Sequence, residues 1–114
     1  MPYFNVNTNK EIDAAGTSEL LEKTSKFLAD LLEKPGKYIM MSINQGTPMS
    51  FFGTADPAAF VELKSIGLPK DKCKAYSQAI CEYIETEIGV PKNRIYIDFT
   101  DLDGKMFGFN CGTC

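Results

Sequence analysis

Glu33-Lys34-Pro35-Gly36-Lys37-Tyr38-Ile39 and Val90-Pro91-Lys92-Asn93-Arg94-Ile95-Tyr96-Ile97 are two versions of one pattern: a helix breaker, a cation, then an apolar run. What precedes each one also matches. Leu20, Leu21, Thr24, Phe27, Leu28, Leu31 and Leu32 form a stripe of 3.6-residue period that Pro35-Gly36 stops. Cys73, Tyr76, Ile80, Tyr83, Ile84 and Ile88 form a second stripe, ended by Gly89. Upstream, residues 2–8 alternate as a strand with Phe4 and Val6 on one face, and Ala59 to Ile66 reads as its counterpart. The offset of roughly 56 to 58 residues is too long for a solenoid unit and suits a duplicated β-α-β half. The expected fold is therefore α+β: one domain over residues 1–114, with pseudo-repeats of about 1–57 and 58–114. The two halves build a four-stranded mixed sheet with both helices on one face.

Local signals fill in the pattern. Thr17 or Ser18 is the expected cap of the first helix, with Glu19 in its first turn. Lys37–Asn44 reads as a strand with Ile39, Met41 and Ile43 on one side and Tyr38 and Met40 on the other. Gln45-Gly46-Thr47-Pro48 turns the chain, Phe51-Phe52-Gly53 suits a short edge strand, and Arg94–Phe99 forms the last strand. Helices cover only one face of a sheet, so a strand apolar on both sides needs a second cover. In so small a chain the expected cover is another copy, which predicts a homo-oligomer.

With 114 residues, folding alone buries about two-thirds of the surface. Twelve Lys and Arg against 15 Asp and Glu leave a net charge of −3, with no basic run, so neither nucleic acid nor a membrane surface is an expected partner. No apolar stretch approaches the roughly 18 residues of a spanning helix, and the N-terminus lacks a signal-peptide core, so the expected location is cytoplasmic. Cys73 and Cys81 fall within the second helical pattern. Cys111-Gly112-Thr113-Cys114 is a C-x-x-C with no helix after it to lower a thiolate pKa. Without histidine, a four-ligand zinc site within one chain is not expected. The terminal pair reads as incidental thiols in a reducing compartment, with a thiol oxidoreductase as the weakest functional reading.

Pro2 stands directly after the initiator methionine. Methionine removal ahead of this small residue leaves proline as the free N-terminus, whose secondary amine is a candidate general base in a chain without histidine, although many chains begin Met-Pro for no catalytic reason. An unperturbed α-amino group titrates near pH 8, and burial beside a lysine pushes it down. Retained methionine makes Pro2 an ordinary amide and abolishes the base.

Pro2-Tyr3-Phe4-Asn5-Val6-Asn7-Thr8-Asn9, Lys34-Pro35 leading into Tyr38-Ile39, Ser65-Ile66-Gly67 and Arg94-Ile95-Tyr96-Ile97 together closely resemble the macrophage migration inhibitory factor family of the tautomerase superfamily. The resemblance runs nearly end to end. It implies a homotrimer whose sheets form a central barrel, and keto–enol tautomerisation of phenylpyruvate-like 2-oxo acids and dopachrome-type compounds, without metal or cofactor. By the same resemblance Pro2 is the base, and Lys34 binds the substrate carboxylate and lowers the Pro2 pKa. Ile66 contacts ligand through its backbone, and Tyr38 and Tyr96 wall the pocket, Tyr96 from the neighbouring chain. Each has a plainer role: Lys34 suits a helix end, and Ile66 and Tyr38 suit a core.

Two pocket positions depart from the family pattern. Asp98 stands where mammalian members have asparagine, and Phe109 replaces a tryptophan. A carboxylate at 98 repels an anionic substrate and raises the Pro2 pKa, worth roughly 3 kcal/mol at about 6 Å and an effective dielectric near 20 before screening, which predicts reduced or retuned activity. The mammalian C-x-x-C falls on Ala58 and Val61, so its redox chemistry is not expected. Cys114 replaces a terminal phenylalanine. The alternative function that the resemblance implies is a secreted, cytokine-like ligand of a host or self cell-surface receptor, exported by a leaderless route, with vestigial catalysis.

Overall fold

A computed structural model describes residues 1–114. Strand β1 (Tyr3–Thr8) leads to helix α1 (Ala14–Leu32) and β2 (Met40–Asn44), then β3 (Ala59–Ile66), α2 (Cys73–Ile88) and β4 (Ile95–Leu102). A small hairpin of β5 (Gly108–Phe109) and β6 (Gly112–Thr113) ends the chain. The sheet order is β2-β1-β3-β4, with β1 parallel to β2, antiparallel to β3, and β3 parallel to β4. The helix ends Leu32 and Ile88, and the 3-10 turns Gly36–Tyr38 and Lys92–Arg94 that follow, lie 56 residues apart. The duplication expected from the sequence is therefore present in the backbone.

Alternation sorts the sheet into two faces. Phe4, Val6, Val61 and Leu63 are fully buried beneath the helices, where they meet Leu28, Ile80 and Ile84. Each such side chain contributes about 1.5–3 kcal/mol on leaving water. Tyr83 of α2 stacks on Phe27 of α1 with centroids 4.0 Å apart, and its hydroxyl lies 3.0 Å from Thr24 Oγ1. Outside, Lys23 Nζ donates to Glu87 at 2.9 Å, which raises the lysine pKa.

Four local expectations are corrected. The α1 cap is Asp13, not Thr17 or Ser18: its carboxylate accepts the Gly16 N–H at 2.7 Å, and Thr17 N already donates to Asp13 O. Glu19 accordingly lies beyond the first turn. Lys37 and Tyr38 are not strand, because Tyr38 N and Ile39 N are consumed by Pro35 O and Gly36 O in a 3-10 turn. Arg94 sits in the matching turn, and β4 runs three residues past Phe99 to Leu102. Phe51-Phe52-Gly53 is a turn rather than an edge strand. Phe51 and Thr54 exchange both backbone bonds around Phe52 and Gly53, both at positive φ.

The uncovered face is polar through its middle. Tyr3 Oη and Asn5 Nδ2 reach Ser42 Oγ, Asn7 Nδ2 donates to Asn5 Oδ1, and Asn44 Nδ2 donates to Asn7 Oδ1. Large apolar side chains remain at its margins, with Met40 67%, Tyr96 60% and Phe60 40% exposed. The expectation that β2 is apolar on both sides therefore holds only at its N-terminal end, because Ser42 and Asn44 share the outer face with Met40.

Candidate active site

Helix α1 ends with Glu33 in the left-handed region at φ 54°, which throws the chain back toward the start of β1. The Met40 N–H then donates to Pro2 O at 3.0 Å, so the helix-stop turn is tied directly to the N-terminus. Pro2 itself is fully buried. A cavity of about 560 Å³ opens beside it, on the uncovered side of the sheet, with Pro2, Tyr38, Met40, Lys64, Phe107 and Phe109 among its walls. Phe109 meets Tyr38 edge to face with centroids 6.5 Å apart, and Lys37 Nζ stands 5.1 Å above the Tyr38 ring.

The C-terminal hairpin makes one side of this cavity. Its turn holds Asn110 and Cys111 at positive φ, and Cys114 N donates to Gly104 O at 3.1 Å and Phe107 O at 3.2 Å. This closes the chain end down beside the N-terminus. The Met1 amine, one residue before Pro2, is held below its ordinary value of 8.0, first by burial and then by the Lys34 cation, with Cys114 acting in the opposite direction. Such a site admits a flat apolar group between aromatic walls and offers cations to an acidic one.

Of the residues expected from the sequence, Pro2, Tyr38 and Phe109 line the cavity together. Lys34 is not on its wall, and its charge acts on the Met1 amine. Ile66 ends β3, half-buried and paired with Leu102, at the same end of the sheet. Tyr96 and Asp98 are not brought to Pro2 within one chain. They lie on β4, beyond β3 from β1, where Tyr96 packs edge-on against Phe51 at 4.8 Å and Asp98 is exposed.

Lys37, Lys64 and Phe107 were not anticipated from the sequence. Lys64 had a signal: it shares the outer face of β3 with Glu62, its ion-pair partner at 3.6 Å, and the β1–β3 register sets it opposite Tyr3. Phe107 had none, since a hairpin after the last strand decides its place. All four cysteines are free, and burial pushes the Cys81 thiol pKa up. No group of three or more His, Cys, Asp or Glu is placed to hold a metal ion.

Residues 1–114 match the macrophage migration inhibitory factor (MIF) family along the whole chain. The chain is 38% identical to a macrophage migration inhibitory factor homologue of Trichinella spiralis over 112 residues, 96% of each protein. It is also 38% identical to macrophage migration inhibitory factor of Xenopus tropicalis over 114 residues, 99% of this chain and 98% of that one. The crystal structure of a homologue from Prochlorococcus marinus superposes with a TM-score of 0.90 at 38% identity, covering 97% of both chains. With the fold and its duplication in agreement with that match, the chain belongs to the macrophage migration inhibitory factor family.

Proposed function

We propose that the methionine-free chain is a keto–enol tautomerase of phenylpyruvate-like 2-oxo acids. Family membership supports a tautomerase kind of activity. The observation that carries the finer reading is the buried Pro2 in the wall of a cavity shared with Tyr38 and Phe109, where burial and the Lys34 cation lower the pKa of the adjoining Met1 amine and would act likewise on a trimmed Pro2. In this reading the neutral Pro2 nitrogen takes a proton from the carbon α to the carbonyl, the carbonyl oxygen gains one from solvent, and the reverse sequence restores the ketone. Lys34, with Lys37 and Lys64 beside the cavity, attracts the substrate carboxylate. The test is ketonisation of hydroxyphenylpyruvate by mass-verified methionine-free protein beside Pro2→Gly. Turnover that collapses in the variant supports the reading; equal rates in the two proteins, or none in either, overturn it.

We further propose that the working unit is a homotrimer in which the apolar margins of the uncovered face, Met40, Phe60 and Tyr96, are shared between copies. Tyr96 and Asp98 then reach a neighbour's cavity rather than their own. Sedimentation equilibrium at three times the 12.6 kDa protomer mass supports this, and a monomer mass overturns it.

The name shared by the relatives, a factor inhibiting macrophage migration, favours a second reading as a receptor ligand. Receptor binding unchanged by Pro2→Gly would separate that role from catalysis.

A further inference from the structure

Ser65 Oγ is the one buried side-chain nitrogen or oxygen without a hydrogen-bond partner. Ser65 is fully buried and lies on the helix-covered side of β3 with Val61 and Leu63. A buried hydroxyl left unpaired carries its full desolvation cost, so such a group in a well-packed fold calls for a partner.

The sheet register shows where that partner stands. β1 and β3 pair as Phe4 with Leu63 and Tyr3 with Lys64, and one further step sets Pro2 opposite Ser65. Pro2 has the parity of Phe4 and Val6 and is fully buried like them. Directly opposed antiparallel residues hold their Cβ atoms about 4.5–5.5 Å apart on one face. While Met1 is attached, the Pro2 nitrogen is a tertiary amide with no N–H and no available lone pair. Removal of Met1 makes it a secondary amine with one N–H and one lone pair.

We infer that Ser65 Oγ accepts the N–H of the trimmed Pro2 amine and thereby turns its lone pair toward the cavity, which makes Ser65 a positioning residue for the N-terminal base. The inference rests on Pro2 being that base. Lys34 and Cys114 act on the Met1 amine one residue away, and Lys37 and Lys64 line the cavity beside Pro2. Substitution at Ser65 leaves these four groups in place.

The test titrates the Pro2 amine by NMR in methionine-free protein carrying labelled proline, in the wild type, Ser65→Ala and Ser65→Thr. The accepting hydroxyl favours the protonated amine. Its loss in Ser65→Ala should therefore lower the titration midpoint by about half a unit to one unit, as expected for one hydrogen bond. Threonine, which keeps the hydroxyl, should restore the midpoint. In the tautomerase assay Ser65→Ala should lower kcat about five- to tenfold, the kinetic equivalent of that bond, with KM within twofold. An unchanged midpoint in Ser65→Ala overturns the proposal. So does an equal fall in Tm in methionine-free and methionine-retaining protein, because only the trimmed chain has the bond to lose. The midpoint is read without turnover, so a wild type that lacks tautomerase activity leaves this test standing and removes only the functional reading.

Discussion

Tyr38 and Phe109 meet edge to face, ring centroids 6.5 Å apart at 87°, and join the helix-stop turn of the first half to the C-terminal hairpin of the second. Neither belongs to the main sheet, and both line the same cavity. Phe109 is about half exposed, so its loss costs the fold little. Phe109→Ala should raise KM for an aromatic 2-oxo acid about two- to tenfold, the value of one aromatic contact, while Tm moves little. Steady-state kinetics beside a thermal melt check this; a KM that stays put removes Phe109 from the binding wall.

The pH dependence follows from the amine. Burial first, and then the Lys34 cation, hold the Met1 amine below 8.0, and trimming moves the terminus one residue inward to fully buried Pro2, where the same causes should act. A base works when neutral, so kcat/KM should rise with pH, with the midpoint of its acid limb below pH 8. Lys34→Ala removes one lowering charge, so the acid limb should move to higher pH. The folded state binds fewer protons than the unfolded chain between the two pKa values, so this group makes stability rise with pH across that window. A pH series of kcat/KM for wild type and Lys34→Ala decides the sign, and an identical limb in both refutes the assignment.

Asp98 is exposed on β4, its nearest side-chain partner the Thr100 hydroxyl at 3.5 Å, so Asp98→Asn should leave stability unchanged. In the proposed trimer this carboxylate faces a neighbour's cavity and opposes an anionic substrate. Its removal should raise kcat/KM on hydroxyphenylpyruvate severalfold, the screened remainder of a charge interaction worth roughly 3 kcal/mol. Kinetics at two ionic strengths test this, since the gain should shrink with salt. No gain at either strength places Asp98 outside the site.

The helix pair offers a stability test independent of the site. Thr24 is fully buried, and its hydroxyl bonds to Tyr83 Oη at 3.0 Å. Tyr83→Phe keeps the stacked ring but strands that hydroxyl, which should cost about 1–3 kcal/mol. Urea denaturation measures it, and a neutral result means that the Thr24 hydroxyl finds another partner.

Much of the fold was legible in the residues themselves. The stripes from Leu20 to Leu32 and from Cys73 to Ile88 bury Leu20, Thr24, Leu28 and Leu32 on α1, and Tyr76, Ile80, Ile84 and Ile88 on α2. β3 runs from Ala59 to Ile66 as its alternation requires. Boundaries set by competition for single hydrogen bonds were less legible. The helix cap was expected at Thr17 or Ser18, yet the Asp13 carboxylate captures the Gly16 N–H and starts the helix early. Tyr38 has strand composition, but Pro35 presents a carbonyl that takes its N–H into a 3-10 turn.

Sequence by itself determined the duplicated β-α-β plan, the helix faces and the candidacy of Pro2, because hydrophobic period and helix breakers act over a few neighbouring residues. Tertiary structure decided what surrounds Pro2. Met40 N on Pro2 O, Lys64 across from Tyr3, Phe109 against Tyr38 and Ser65 left unpaired are all contacts between residues far apart in the chain. They depend on sheet register and on where the C-terminal hairpin closes, and the free energy that selects them comes from burying the whole core at once.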